Sequence, residues 1–330
     1  SWNIFIFHYS YNNNIMKNIY SNIFSFNKKI LNKSVSSLKK GNVVGLPTET
    51  VYGLAGNAYS KIAIKKIFTL KKRPKRNPLI VHYLNFKDAN KDVIFNNKFF
   101  KLYKKFCPGP ITFVLKKRDK SKIKSSATAN LDTVAIRFPK HNITRSILKK
   151  INFPLAMPSA NLSSGVSPVN AFDVAEEFKK KIKIIVNGGN SKIGIESTVI
   201  SLIGKPKILR SGIIGIKNLN KILKISYVKK ISKIRSPGML KKHYSPGIPI
   251  HLNKKRGSED CALITFGKKY KKRVNCFNLS KNADLKEAAS NLYKTFRKIK
   301  KMKYKKIYVV KIPNFGPGVA INDRLRRAAY

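Results

Sequence analysis

The chain has 330 residues, 42% of them apolar, and a formal net charge of +56 from 70 Lys and Arg against 14 Asp and Glu. That length supports one large or two ordinary domains with a true core, and the apolar share excludes wholesale disorder. No apolar run approaches the roughly 18 residues of a membrane span, and three scattered cysteines without CxxC spacing give neither a zinc site nor a disulfide framework, so a reducing cytosol is the expected home.

Residues 1–15 open without Met, basic leader or cleavage site and do not read as a signal peptide. Met16 begins a natural-looking start, so residues 1–30 are set aside as an N-terminal extension. Leu31, Val35 and Leu38 then mark one face of a helix that stops at Gly41. A strand over 43–47 runs into "GLPTETVYGLAG" (45–56), a polar cluster free of lysine in a lysine-crowded chain. Strand ends of this kind are where open α/β sheets bind ligands, although an ordinary strand-turn-helix connection reads the same way locally. Ala63, Ile67 and Leu70 give a second amphipathic helix, ended by Pro74 and Pro78 in "KKRPKRNP". Strands follow at 79–84, 111–115, 133–138, 154–157, 182–186, 198–203 and 207–209, interleaved with helices near 95–106, 143–151 and 170–180. The alternation predicts an α/β domain over 31–215 and leaves the direction of its strands open. Residues 216–247 read as a basic linker with Ser-Pro-Gly turns around His243 and Tyr244. Residues 248–330 read as a smaller α/β unit with helices at 284–301 and at the C-terminus.

The charge has two readings. Lysine spread along the whole chain, with abundant Ile and Asn, looks like compositional bias at solvent-facing positions; a dedicated nucleic-acid face is the alternative. More specific polar groups collect at strand and loop junctions. Singly, each also reads as ordinary structure: Lys71 and Arg73 as a solvated helix end, Ser159 and Asn161 as turn formers, His82 as a satisfied strand histidine, Glu196 as a structural acid. Together they suggest an anion site. A point charge and a planar fork one residue apart can reach different oxygens of one polyphosphate. Ser159 and Asn161 alternate across a loop and can face the same phosphate or sugar. There is no GxxxxGK[ST], GxSxG or paired-carboxylate motif, and many cations with few acids suit displacement at phosphorus.

The ordered set "GLPTETVYGLAGNA", "KKRPKRNPLIVH", "CPGPITFVL", "LDTVAIRFP", "MPSANLSSGVSP", "GGNSKIGIESTVI", "LRSG", "SPGMLKKHYSP" and "INDRLRRA" resembles the YrdC-like threonylcarbamoyl-AMP synthases in their long, two-domain form. The resemblance implies a twisted mixed-sheet catalytic domain with a smaller C-terminal α/β domain. It also implies ATP-dependent joining of L-threonine and bicarbonate into an adenylate, with Mg²⁺ arriving on ATP. The product would pass to a tRNA threonylcarbamoyl transferase complex acting on adenosine 37, and weak contact with tRNA itself is a further expectation. By matched positions it implies Lys71 and Arg73 as the catalytic cations. Asn77, Thr133, Ser159, Asn161, Ser167, Arg210 and Tyr244 join them around ATP. Thr48, His82, Arg137, Met157 and Ser197 surround the threonine and its carbamate. Arg137 is expected to pair with the threonine carboxylate by two hydrogen bonds, and Tyr244 to act as a lid. No protein metal site is implied. Lys72 and Lys75 stand where smaller or acidic residues are more usual, outside the matched contacts. A non-catalytic RNA-binding module of the same fold, or a carbamoyltransferase of the hydrogenase-maturation type, are the competing readings; the latter lacks its cysteine-rich segments here.

Overall fold

A computed structural model describes residues 19–228, 243–254, 260–270 and 273–329. The segment 1–15 and the "SPGMLKK" part of the linker lie outside the described residues. Twelve short strands make one large sheet. In chain order they are β1 (Ile23–Ser25), β2 (Val44–Leu46), β3 (Gly53–Asn57), β4 (Ile80–His82), β5 (Val93–Ile94), β6 (Ile111–Lys117), β7 (Thr133–Arg137), β8 (Leu155–Ala156), β9 (Ile185–Asn187), β10 (Thr198–Ser201), β11 (Lys207–Arg210) and β12 (Ser226–Tyr227). Their spatial order is β1-β9-β2-β3-β8-β4-β7-β6-β10-β11-β12, with β5 paired to β6 beside that path. Direction, which periodicity left open, is mixed: β4 and β7 run parallel, whereas β3 and β4 both run antiparallel to β8.

The sheet extends further at both ends than the sequence suggested. β1 falls inside the segment set aside as an extension and pairs in parallel with β9. At the other edge, residues 216–228 are not a free linker. Ile216–Asn220 form a short helix, and β12 adds in parallel to β11. Leu219 and Ile225 are buried in the main core with Ile216, Ile222 and Leu223 packed against it, so apolar spacing outweighs the basic composition that made this stretch look solvated.

The helix Lys61–Lys71 shows how one element positions functional groups. Ser60 Oγ caps it by accepting the Ala63 amide at 3.2 Å. Ala63, Ile64, Ile67 and Lys71 are its buried stripe, so its last residue points a lysine inward at a position where the helical period calls for an apolar side chain. Lys72 adopts left-handed geometry (φ 49°) and turns the chain toward Arg73.

The second unit is a four-stranded sheet of β13 (Ile250–Leu252), β14 (Ala262–Thr265), β15 (Cys276–Asn278) and β16 (Ile307–Val309), all parallel in the order β13-β16-β14-β15. Its helices Leu285–Lys301 and Pro317–Ala328 do not pack only on their own sheet. Their buried residues share a cluster with Val51, Val166, Val169, Ile195 and Tyr244. Gly194 (φ +77°) permits that contact, because a Cβ there would stand 2.6 Å from the Ser290 Cα. Across the same seam Arg297 Nη2 donates to the Val166 carbonyl (2.6 Å) and to Glu177 (3.0 Å).

Candidate active site: one cavity between two unlike walls

The first wall is the turn after β2. Thr48 Oγ1 donates to the Val51 carbonyl (2.6 Å) and accepts the Thr50 and Val51 amides (3.2 Å each), a hydroxyl-closed turn that explains why threonine follows Pro47. Thr50 Oγ1 lies 2.9 Å from Thr48 Oγ1 and accepts from Arg137 Nη1 at 2.9 Å. Arg137 Nη2 donates to Glu49 Oε1 at 2.7 Å, and the Lys140 amide takes the other carboxylate oxygen at 3.1 Å. Burial alone would raise the Glu49 pKa; the Arg137 charge and these hydrogen bonds override it and hold the carboxyl below its ordinary value. Arg137 ends β7 in register with His82, which ends β4. His82 is buried with Nδ1 3.2 Å from the Ile80 carbonyl, and burial together with the Arg137 charge pushes its pKa down to about 3. Met157 closes this wall over Gly53, where a Cβ would stand 2.3 Å from the Met157 Cγ.

The second wall carries the cations. Arg73 is buried, with Nε and Nη2 donating to the Asn77 and Pro78 carbonyls at 3.0 and 2.8 Å. Burial, with Arg210 nearby, lowers its pKa to about 9. Arg210 ends β11 and donates to the Ser197 carbonyl and hydroxyl, both at 3.0 Å. Glu196, fully enclosed, collects Ser167 Oγ (2.5 Å), Tyr293 Oη (3.0 and 3.2 Å) and Arg324 Nε (3.0 Å). Burial opposes its ionisation, but Arg324 and Arg210 prevail and bring the pKa to about 2. Tyr244 is wholly buried at φ 63°, a left-handed conformation rare for a bulky residue. Its ring stacks on Tyr293 (5.9 Å, 23°) and lies under the Arg324 guanidinium at 5.0 Å.

Thr48, Thr50, Arg73, His82, Arg137, Met157, Ser159, Glu196, Arg210, His243 and Tyr244 line one cavity of about 40 Å³. That enclosed part of the site holds a few waters. Eight of the residues expected at the site are therefore on its wall. Six are not. Lys71 stands behind it, its Nζ donating to the carbonyls of Ser159 (2.5 Å) and Asn161, so it shapes the loop that carries Ser159. Asn77, Asn161, Ser167 and Ser197 likewise brace wall residues or their loops through the bonds above and the Asn161 Nδ2 bond to Gly165 (2.9 Å). Thr133 begins β7 and Arg137 ends it, which sets them roughly 13 Å apart along the strand. Arg137, expected to pair with the threonine carboxylate by two hydrogen bonds, has each terminal nitrogen already donating once, to Thr50 and to Glu49, with Nε left without a partner. Glu49 and Thr50 were not singled out from the sequence; the signal was an acid, in a chain with 14 acids, inside a cluster free of lysine.

Comparison with known proteins fits this geometry. A family profile described as "Telomere recombination" matches residues 36–212, and one described as "Threonylcarbamoyl-AMP synthase, C-terminal domain" matches 214–330. Threonylcarbamoyl-AMP synthase of Pyrococcus abyssi is 34% identical over 315 residues, 88% of this chain and 92% of its own length. The Bacillus subtilis protein of the same name is 33% identical over 328 residues, 92% of this chain and 94% of its own. The crystal structure of P. abyssi Sua5 complexed with L-threonine superposes with a TM-score of 0.85 at 31% identity, covering 93% of this chain and 97% of that one. The chain belongs to the threonylcarbamoyl-AMP synthase family, in its two-domain form.

Proposed function

We propose that this chain joins L-threonine, bicarbonate and ATP into L-threonylcarbamoyl-AMP and pyrophosphate, in the cytoplasm. A transferase complex then passes the threonylcarbamoyl group to adenosine 37 of tRNAs reading codons that begin with A. The observation that carries this reading is a single cavity lined on one side by Thr48, His82, Arg137 and Met157 and on the other by Arg73, Ser159, Arg210 and Tyr244. A threonine carbamate brings two anions and a triphosphate brings more, and the enclosing groups include Arg73, Arg137 and Arg210, hydroxyls and the imidazoles of His82 and His243, with the Glu196 carboxylate already held by Arg324.

The carbamate oxygen attacks the α-phosphorus, the new O–P bond forms, and pyrophosphate departs with the electrons of the broken P–O bond. No side chain becomes a covalent nucleophile. Arg73 and Arg210 offset charge on the phosphates, worth most in a site closed to water. Arg137, with its terminal nitrogens on Glu49 and Thr50, offers the threonine carboxylate its remaining donors, Nε among them. Among the described residues no group of three or more His, Cys, Asp or Glu converges, and Glu196 on the wall is already held by Arg324, Ser167 and Tyr293. Mg²⁺ would enter as the counter-ion of ATP, held chiefly by its phosphates. The dispersed lysines supply at most weak, salt-sensitive attraction for tRNA.

The mass of the nucleotide formed from threonine, bicarbonate and ATP tests the reading. Pyrophosphate release should need threonine and bicarbonate together; equal release with either omitted contradicts it. Absence of product, with salt-sensitive tRNA binding that survives Lys71→Ala and Arg73→Ala together, would favour the RNA-binding module instead.

A further inference from the structure

Arg324 comes from the last helix of the C-terminal domain, yet its side chain is wholly buried against the cavity wall of the large domain. Its contacts follow one plan. Nε donates to Glu196 at 3.0 Å, and Nη1 to the Ser211 carbonyl at 2.7 Å and to Asp323 at 3.0 Å. Glu196 immediately precedes Ser197, and Ser211 immediately follows Arg210. Arg210 is in turn fixed by its two bonds to Ser197. One guanidinium thus ties together the chain on both sides of the Arg210–Ser197 contact. The same group lies 5.0 Å from the Tyr244 ring centroid, and Tyr293, from the other long helix of that domain, backs both Tyr244 and Glu196.

We propose that Arg324 is a positioning residue of the nucleotide wall, setting Arg210 through Glu196 and Ser211 and setting Tyr244 through its ring. The C-terminal domain thereby completes the ATP site rather than merely sitting beside it. This rests on the reading that the cavity takes ATP. A lysine cannot replace the group, because a single ammonium does not span Glu196 and Ser211 while presenting a flat face to Tyr244.

The test is a KM split in the full-length protein. Arg324→Met should raise the KM for ATP at least tenfold while the KM for threonine moves less than twofold, and Arg324→Lys should recover only part of the loss. Arg324→Met leaves Glu196 buried without its partner; the double variant Arg324→Met/Glu196→Gln removes both charges and keeps a foldable protein for the same measurement. Arg297→Met cuts a different interdomain contact and should lower the Tm with the KM for ATP unchanged. An Arg324→Met protein with lowered Tm and unchanged KM for ATP, or with both KM values raised alike, overturns the positioning role. Titration with a non-hydrolysable ATP analogue separates the two ideas. Wild-type protein that binds the analogue but makes no product overturns the functional reading alone. Arg324→Met binding it as tightly as wild type overturns the positioning role alone. Wild-type protein that fails to bind it overturns both.

Discussion

The two walls of the cavity are built on different principles. The wall from Thr48 to Gly53, with His82, Arg137 and Met157, comes entirely from strands and turns of the large sheet, and most of its polar groups already hold one another. The opposite wall draws on three separated sources: the end of the helix Lys61–Lys71 with Arg73, the β10–β11 pair with Glu196 and Arg210, and Tyr244 braced by the C-terminal domain. Among the described residues, the buried polar atoms here without a hydrogen-bond partner lie mostly on this side, His243 Nδ1 and the Tyr244 hydroxyl on the wall with Asn77 Oδ1 and Nδ2 and Asn161 Oδ1 behind it, against Arg137 Nε on the first wall. A buried polar group without a partner costs about 1–3 kcal/mol, which a frame accepts only where something else compensates. The first wall is therefore the more self-contained of the two, although Arg137 Nε is unpaired there, and the second leaves more groups open.

The contrast predicts its largest effect at Arg137. Arg137→Met strands the Glu49 carboxylate in the core, and breaking a buried pair from one side costs about 3–5 kcal/mol. Chemical denaturation should show that loss. Glu49→Gln with Arg137→Met should restore most of it without restoring activity. A double variant as unstable as the single one would mean that the pair is not what holds this turn.

Much of this was legible in the sequence. Strands with continuous Ile and Val runs, such as β6 and β7, announce themselves, whereas the burial of Lys71, which read as a solvated helix end or a ligand cation, shows only in the fold. β3 did not, because its glycines argue against a strand. They are there for close packing: at Gly56 a Cβ would stand 3.1 Å from Ile67, and at Gly53 one would collide with Met157. The pairs Arg137–Glu49 and Arg324–Glu196 were also hidden. Each joins residues 88 or 128 positions apart, and charge type alone does not choose a partner in a chain with 70 cations.

Acid should expose the next largest effect, on both walls at once. His82 and His243 are buried and their pKa values fall to about 3, through burial first; Arg137 adds to the fall at His82, and Arg73, Lys71 and Arg210 add to it at His243. A histidine whose folded pKa is depressed stabilises the fold fully above its unfolded value near 6.5 and loses that contribution as pH falls toward 3. The loss reaches roughly 2 kcal/mol per residue by pH 5. Glu49 and Glu196 respond the same way but below their unfolded value near 4.5, so they leave the range from pH 7 to 5 clear. Burial lowers the His141 pKa as well, so urea unfolding at pH 7.5 and 5.0 should show a fall that His243→Gln reduces by roughly 2 kcal/mol without abolishing it; an unchanged fall would assign the acid sensitivity elsewhere.

Gly53→Ala sharpens the claim that the first wall is the more self-contained. The added methyl lands on the Met157 side chain, and overpacking of this kind costs about 1–3 kcal/mol. Because the thioether is flexible, the displaced Met157 should intrude on the cavity, raising the KM for threonine more than that for ATP. Recovery of the threonine KM in Gly53→Ala/Met157→Ala would trace the defect to that contact, and no recovery would refute it.

Tyr244→Phe should have the smallest effect on stability and the most discriminating one on function. Stacking on Tyr293 and the face toward Arg324 belong to the ring and survive. The hydroxyl has no partner among the described residues, so its removal should leave the unfolding free energy within about 0.5 kcal/mol of wild type, or raise it. If the hydroxyl serves the ligand, the KM for ATP rises a few-fold while the Tm holds. A Phe variant that loses stability in step with activity would put the hydroxyl in the frame, and with it the second wall would be as self-contained as the first.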